Sequence, residues 1–272
     1  MNKEKLKKFL DAKVDQYNQP FFIKEDPICI PHLFSKQQDI EIAAFFAALF
    51  AWGNRTTIIR KSKELMELMQ MQPYEFCINH TSKDLQQLLA FKHRTFNPTD
   101  LLYFIEFFRH HYSKHKSFEA AFTDRGKTIE EMLTGFHHYF FSLEDVPART
   151  KKHISSPEKN ATCKRLNMFL RWMVRRDAND LGTWTSVSPS RLIIPLDTHV
   201  IRLGRCLRLT RYSSPNWKMA ADITASLRRV STDDPVSYDF SLCHVGMMGA
   251  CGYGRAQRDR QCPLKGICRP PK

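Results

Sequence analysis

The chain has 272 residues, 42% of them hydrophobic, with modest glycine (10) and proline (14). That combination describes a folded globular protein with one ordinary core or two small lobes, and it excludes collagenous, low-complexity and disordered classes. The 42 Lys and Arg outnumber the 28 Asp and Glu for a formal net charge of +14, which favours a polyanionic partner (DNA, RNA or an anionic membrane surface) without choosing among them. No apolar stretch reaches the ~18–20 residues of a membrane span; the longest, Ile40 to Trp52, is too short and opens with Asp39 and Glu41. The N-terminus, Met1-Asn2-Lys3-Glu4-Lys5, is charged with no apolar region behind it, so a secretory signal is not expected and the eight cysteines are expected to be mostly reduced.

In chain order, apolar periodicity predicts helices over 3–18, 38–50, 56–71, 73–79, 82–89, 99–115, 117–123 and 129–141. Ser82, Thr99 and Ser117 precede apolar runs and read as N-caps. Ser142–Asn160 is polar and proline-interrupted, and reads as a connection that enters a functional hairpin. Further helices are predicted over 163–175, 180–183, 198–207, 216–230 and 235–248, followed by a glycine- and arginine-rich tail. The expected fold class is all-α, with no run of alternating strands and no internal repeat. Three regions follow: 1–145, an N-terminal helical region; 146–248, the hairpin and catalytic helical region; and 249–272, a Cys/Arg-rich loop.

Two segments carry chemistry. In Ile193-Ile194-Pro195-Leu196-Asp197-Thr198-His199-Val200, Pro195 disfavours helix at Ile194, and Asp197 stands where the next helix needs its N-cap. A carboxylate there accepts backbone N–H bonds beside the positive helix end and is expected to stay ionised, as a reaction through a cationic sugar requires. Taken alone, the segment reads more readily as an ordinary Asp cap with no catalytic role. In Ser156-Pro157-Glu158-Lys159-Asn160-Ala161-Thr162-Cys163-Lys164-Arg165, a polar turn feeds an apolar helix. Lys164 opens that helix, where the positive helix end and Arg165 favour its free amine as a nucleophile. Asn160 is expected in the left-handed conformation usual for glycine, leaving the turn's N–H groups for a phosphate. Taken alone, Lys164 reads more readily as a solvated first-turn lysine.

Together the two segments resemble the helix-hairpin-helix DNA glycosylase superfamily. Asp197-Thr198-His199-Val200 with Ile201-Arg202-Leu203 and Leu207-Arg208-Leu209 is similar to the catalytic-aspartate segment of endonuclease III-type enzymes. Tyr238 to Gly246 and Cys251 resemble the helix that follows it, and Lys164 matches the hairpin lysine that forms a Schiff base in the bifunctional members. The likeness is good from about Pro157 to Cys268 and loose in the N-terminal region, where it rests on Ala43–Leu49 and Trp52-Gly53-Asn54-Arg55. The two residues stand 33 apart (197 − 164), longer than in endonuclease III and closer to the archaeal 8-oxoguanine DNA glycosylase branch, which Ile194-Pro195-Leu196-Asp197 also resembles.

The resemblance implies a two-lobed helical fold with the active site between lobes. It implies a base-excision repair enzyme, a DNA N-glycosylase with AP lyase activity, acting on an oxidised purine such as 8-oxoguanine. Oxidised pyrimidine or mispaired adenine as substrate, a non-catalytic DNA-binding relative, and an unrelated RNA-binding or structural basic protein are the alternatives. The implied catalytic residues are Lys164 and Asp197, and the implied DNA-binding residues are Asn54, Arg55, Lys159, Asn160, Arg165, His199 and Arg202. Arg171, Arg175 and Arg205 are further candidates for phosphate contact, the Trp52–Arg55 turn for filling the gap left by a flipped base, and Trp172 and Trp184 for stacking. The implied partner is duplex DNA with a damaged base, bound by a cytoplasmic, nucleoid-associated monomer. Cys251, Cys262 and Cys268 resemble part of the glycosylase iron–sulfur loop, but a fourth thiolate is missing between Gly252 and Gln261; no iron–sulfur cluster, metal or other cofactor is therefore expected.

Overall fold

The computed structural model describes residues 3–247. Among them are twelve α-helices, with seven short 3-10 helices in the connections: α1 Lys3–Tyr17, α2 Gln37–Phe50, α3 Arg55–Leu68, α4 Pro73–Asn79, α5 Ser82–Gln87, α6 Pro98–Tyr112, α7 Ala120–Thr123, α8 Ile129–Phe140, α9 Lys164–Val174, α10 Thr198–Cys206, α11 Trp217–Arg228 and α12 Asp239–Met247. The all-α class holds for the described residues, where strand-like pairing is limited to the isolated bridges His93–Phe96 and Arg176–Leu181. Among the described residues no helix is long and apolar enough to cross a membrane. The tail cysteines Cys251, Cys262 and Cys268, and the region 249–272 that holds them, lie outside the described residues.

Helix α2 is buried on nearly every side and packs against α3, α4 and α9. The abundance of phenylalanine is explained here: the Phe45 ring meets Phe104, Phe108, Phe118, Phe136 and Phe169 at centroid distances of 5.2–6.1 Å. Most of these contacts are edge-to-face, which suits the ring quadrupoles. Around this aromatic core lie α6, α8 and α9. Elsewhere α1 packs on α12, where Tyr238 Oη donates to Asp11 at 2.9 Å and Tyr17 stacks on His244. Helix α10 lies against α12 and α11, and an added Cβ at Gly204 would collide with Ile223.

Three helix starts carry reciprocal capping boxes: Thr81 with Asp84, Asn97 with Asp100, and Thr128 with Glu131. The expected caps Ser82 and Thr99 therefore lie one and two residues too far along, because the neighbouring Thr81 and Asn97 pair with an acid three residues on. Ser117 caps no α-helix; its hydroxyl donates to Glu41 at 2.5 Å. The helix expected over 180–183 is absent. That segment folds back on the C-terminal end of α9, where Leu181 and Gly182 N–H donate to the Trp172 carbonyl and Trp184 N–H to that of Met173. The carbonyls left open by the helix end thus find donors in the chain that follows.

Glu41 is fully buried and accepts five hydrogen bonds, from Gln37 Nε2, Tyr112 Oη, Ser117 Oγ, Phe118 N and Trp184 Nε1, at 2.5–3.1 Å. One carboxylate in α2 thereby holds α6, the turn after it and the segment beyond α9. Glu41→Ala leaves the buried donors of Tyr112, Phe118 and Trp184 without their acceptor, and we expect a loss of at least ~3 kcal/mol of stability. A urea titration checks this; an unchanged midpoint would show that Glu41 is not the fastener described.

Candidate functional site

Asp197 is the N-cap of α10 in extended backbone, and its Oδ1 accepts the N–H groups of His199 at 2.9 Å and Val200 at 2.7 Å. Its Oδ2 accepts the Cys243 thiol at 3.2 Å. Lys164 is the first residue of α9, with its Nζ 3.4 Å from Met168 Sδ. Before it, Pro157–Lys159 forms one 3-10 turn capped by the Ser156 hydroxyl, and Asn160 takes the left-handed conformation (φ 54°) expected from sequence. Cys163 is left-handed as well (φ 48°), a second reversal that nothing in the residue type announces. Trp217 N–H donates to the Asn160 carbonyl at 3.3 Å and ties the turn to α11.

Lys164 and Asp197 line one cavity of about 290 Å³. Asp239, Cys243 and His244 of α12, Arg171 and Trp172 of α9, and Gly53 and Arg55 line it too. Arg171 is buried and pairs with Asp239 at 2.5 Å and Asp180 at 3.1 Å. Burial pushes the Asp239 carboxyl up to about 6; Arg171 pulls it down, and Asp197 adds to the rise. Burial, then Asp197 and Asp239, raise the Cys243 thiol above its usual range, which keeps its proton available for Asp197. Burial lowers His244, which stays neutral at pH 7, its Nδ1 2.9 Å from the Phe240 carbonyl. The Trp172 indole N–H is buried without a hydrogen-bond partner.

The expected DNA-binding residues divide. Lys159 and Asn160 are exposed at the hairpin, and Arg55 and His199 line the cavity. Asn54 caps α3, accepting from Thr57 N at 3.0 Å. Arg165 and Arg202 are turned to internal work: Arg165 donates to the carbonyls of Leu49 and His153, and Arg202 to that of Gly246. Arg171 and Arg175 are buried in ion pairs with Asp177, Asp180, Asp234 and Asp239. Arg165, Arg171 and Arg175 are thereby spent on carbonyls and carboxylates rather than left free for a phosphate, and half-buried Arg202 gives one N–H to Gly246. Trp184 is core, donating to Glu41. In the Trp52–Arg55 turn, Gly53 is left-handed (φ 104°), and a Cβ there would collide with Arg94, whose guanidinium covers the Trp52 ring at 4.3 Å.

Arg94, Asp239 and Cys243 had no role assigned from sequence. The signal for the last two is spacing: residues 239 and 243 lie one helical turn apart and face α10 together. Among the described residues no cluster of His, Cys, Asp or Glu is arranged to hold a metal.

An all-helical chain that gathers a hairpin-start lysine and a capping aspartate in one cavity is the class defined so far. The chain belongs to the DUF2400 family, described as a protein of unknown function, whose model matches residues 26–248. That range includes every cavity-lining residue named above. No curated protein and no solved structure matches the chain.

The Asp239 shift has a measurable consequence. The folded chain holds this proton more tightly than the unfolded chain, so the contribution is complete below about pH 4 and lost as pH rises through about 6. Relative to Asp239→Asn, the wild-type chain should therefore lose stability across that window. Urea titrations of both proteins at a series of pH values test it, and a pH-independent difference would rule the shift out.

Proposed function

We propose that the chain is a helix-hairpin-helix DNA glycosylase with AP lyase activity, a two-lobed enzyme working on a damaged nucleotide turned out of the duplex. The observation that carries the reading is the convergence of Lys164 and Asp197, distant in sequence, on a single cavity. Its volume, about 290 Å³, lies at the small end of ligand pockets and suits one nucleotide. A glycosidic bond inside a duplex is out of reach, so the nucleotide must be extruded into such a pocket.

In this mechanism Lys164 Nζ, as the free amine, adds to C1′. The C1′–N bond breaks, and the base leaves with the bonding electrons and a proton that the attacking nitrogen loses through Asp197. Asp197, fixed by two backbone N–H groups and one thiol, balances the positive charge that develops at C1′. The C1′–O4′ bond then opens with a proton delivered to O4′, giving the protonated imine; loss of a C2′ proton to solvent breaks the C3′–O bond, expels the 3′ phosphate and cleaves the strand. An oxidised purine such as 8-oxoguanine is the substrate we favour, because the spacing of the two residues and Ile194-Pro195-Leu196-Asp197 resemble the archaeal 8-oxoguanine DNA glycosylase branch.

Incubation with a duplex carrying 8-oxoguanine opposite cytosine, then borohydride, should trap a covalent adduct by hydride addition to the imine. Lys164→Gln should abolish the adduct, and Asp197→Asn should slow its formation about 10²–10⁴-fold. An adduct with oxidised pyrimidine or mispaired adenine alone would move the substrate and keep the chemistry. No adduct across the whole panel would overturn the proposal.

A further inference from the structure

A second opening, wider and more exposed, lies at the other end of α10 from Asp197. It has a volume of about 920 Å³, lies between the end of α10, the chain that follows and α11, and is lined by Arg205, Arg208, Arg211 and Arg229. The one acidic residue among its described lining residues is Asp222, whose Oδ2 already accepts Thr210 Oγ1 and Arg211 N, each at 3.0 Å. None of the four arginines forms an ion pair among the described residues, in contrast to the buried Arg171 and Arg175. Arg205 Nε is buried with no partner, and Arg208 and Arg211 are exposed.

Cations at a helix C-terminus also offset its dipole, and Arg205 and Arg208 do that here. The α11 dipole accounts in the same way for Arg229, the C-cap of α11, whose guanidinium also donates to Ser226 Oγ at 2.8 Å; neither dipole accounts for Arg211, three residues beyond Arg208. Arg208 is informative in another way. Its backbone is left-handed (φ 53°), and Leu209 N–H closes the helix end on the Gly204 carbonyl at 2.7 Å. Glycine is favoured at that position; arginine there carries a backbone cost and adds a fourth guanidinium to the opening.

We propose that this cleft binds the phosphodiester oxygens of a nucleic-acid strand, the strand whose damaged nucleotide occupies the Lys164–Asp197 cavity. The choice of nucleic acid rests on the glycosylase reading; the anion chemistry rests on the four guanidiniums alone. Helix α10 has nine residues and is therefore about 13 Å long, which spans about four base-pair steps of a duplex. The cavity and the cleft are thus far enough apart to be separate contacts and near enough to engage one short stretch of DNA.

The test is the affinity of the full chain for an undamaged duplex oligonucleotide, measured by fluorescence anisotropy over a range of salt concentrations. Arg208→Ala/Arg211→Ala should weaken binding and reduce the slope of log K against log salt by about two, while Arg208→Lys/Arg211→Lys should keep the slope. Thermal melts of both variants establish that they fold. An unchanged slope in a folded double-alanine variant overturns the proposal. So does arginine-dependent binding of inorganic tripolyphosphate with no change in the duplex slope, which would make the ligand a soluble polyanion. The readout needs no bond cleavage, so it separates the two proposals: a chain that fails borohydride trapping yet loses slope keeps the cleft and loses the chemistry, and the reverse result does the opposite.

Discussion

The arrangement at the cavity depends on one buried guanidinium. Arg171 lies seven residues after Lys164 on α9, two turns along the same helix, and reaches Asp239 at the start of α12 and Asp180 in the returning chain. From Asp239 one turn of α12 leads to Cys243, and the Cys243 thiol holds Asp197 at the start of α10. A rigid route therefore runs from the residue proposed as nucleophile to the residue proposed to assist it. Burying such a group is costly, and the raised Asp239 carboxyl shows that Arg171 does not fully offset its partner's desolvation. What the pair supplies is registry: with one partner gone, an uncompensated buried charge would cost about 3–5 kcal/mol, so α9 and α12 cannot slide apart cheaply.

The segment between α9 and α10 is part of that registry. Read as sequence it is a polar insertion that lengthens the spacing between Lys164 and Asp197. In the fold it satisfies the carbonyls at the end of α9, places Asp180 on Arg171 and Arg175, and buries Trp184 against Glu41 and the aromatic core. Gly182 makes the return possible; its backbone is left-handed (φ 57°), and a Cβ there would collide with Arg176. The insertion thus joins the Glu41 junction to the Arg171 junction, and through them the aromatic core to the cavity.

The helices were legible because apolar periodicity reports burial on one face, and most predicted spans agree with the observed ones to within a few residues. The misread span, 180–183, is short, and tertiary partners (Trp172 and Met173 carbonyls, Arg171 and Arg175) decide its conformation. The lysine and the aspartate were legible because each sits at a helix start marked by local chemistry, a proline turn in one case and a capping carboxylate in the other. The arginines were not. Charge in a sequence carries no record of a partner 68 residues away, as Asp239 is from Arg171, or of a carbonyl 116 away, as that of Leu49 is from Arg165. Asp239 and Cys243 left only the one-turn spacing that puts them on one helix face, since their roles exist once α12 lies against α10.

The same distinction changes what the net charge means. A formal +14 describes the whole chain, yet the guanidiniums of Arg171 and Arg175 are neutralised in the interior and those of Arg165 and Arg202 hold backbone carbonyls. Part of the positive charge left for a partner lies at the cleft, where Arg205, Arg208, Arg211 and Arg229 share one acid, Asp222, and the helix that ends there is α10. Its positive N-terminal end stabilises the Asp197 carboxylate, and its negative C-terminal end tolerates Arg205 and Arg208 side by side. One short helix thereby keeps an anionic group at the cavity and a cationic group at the cleft. For the strand proposed to bind, the cavity presents Asp197 with its charge already held by two N–H groups and a thiol and Asp239 paired with Arg171, so the repulsion that free aspartates would exert on that strand is reduced there.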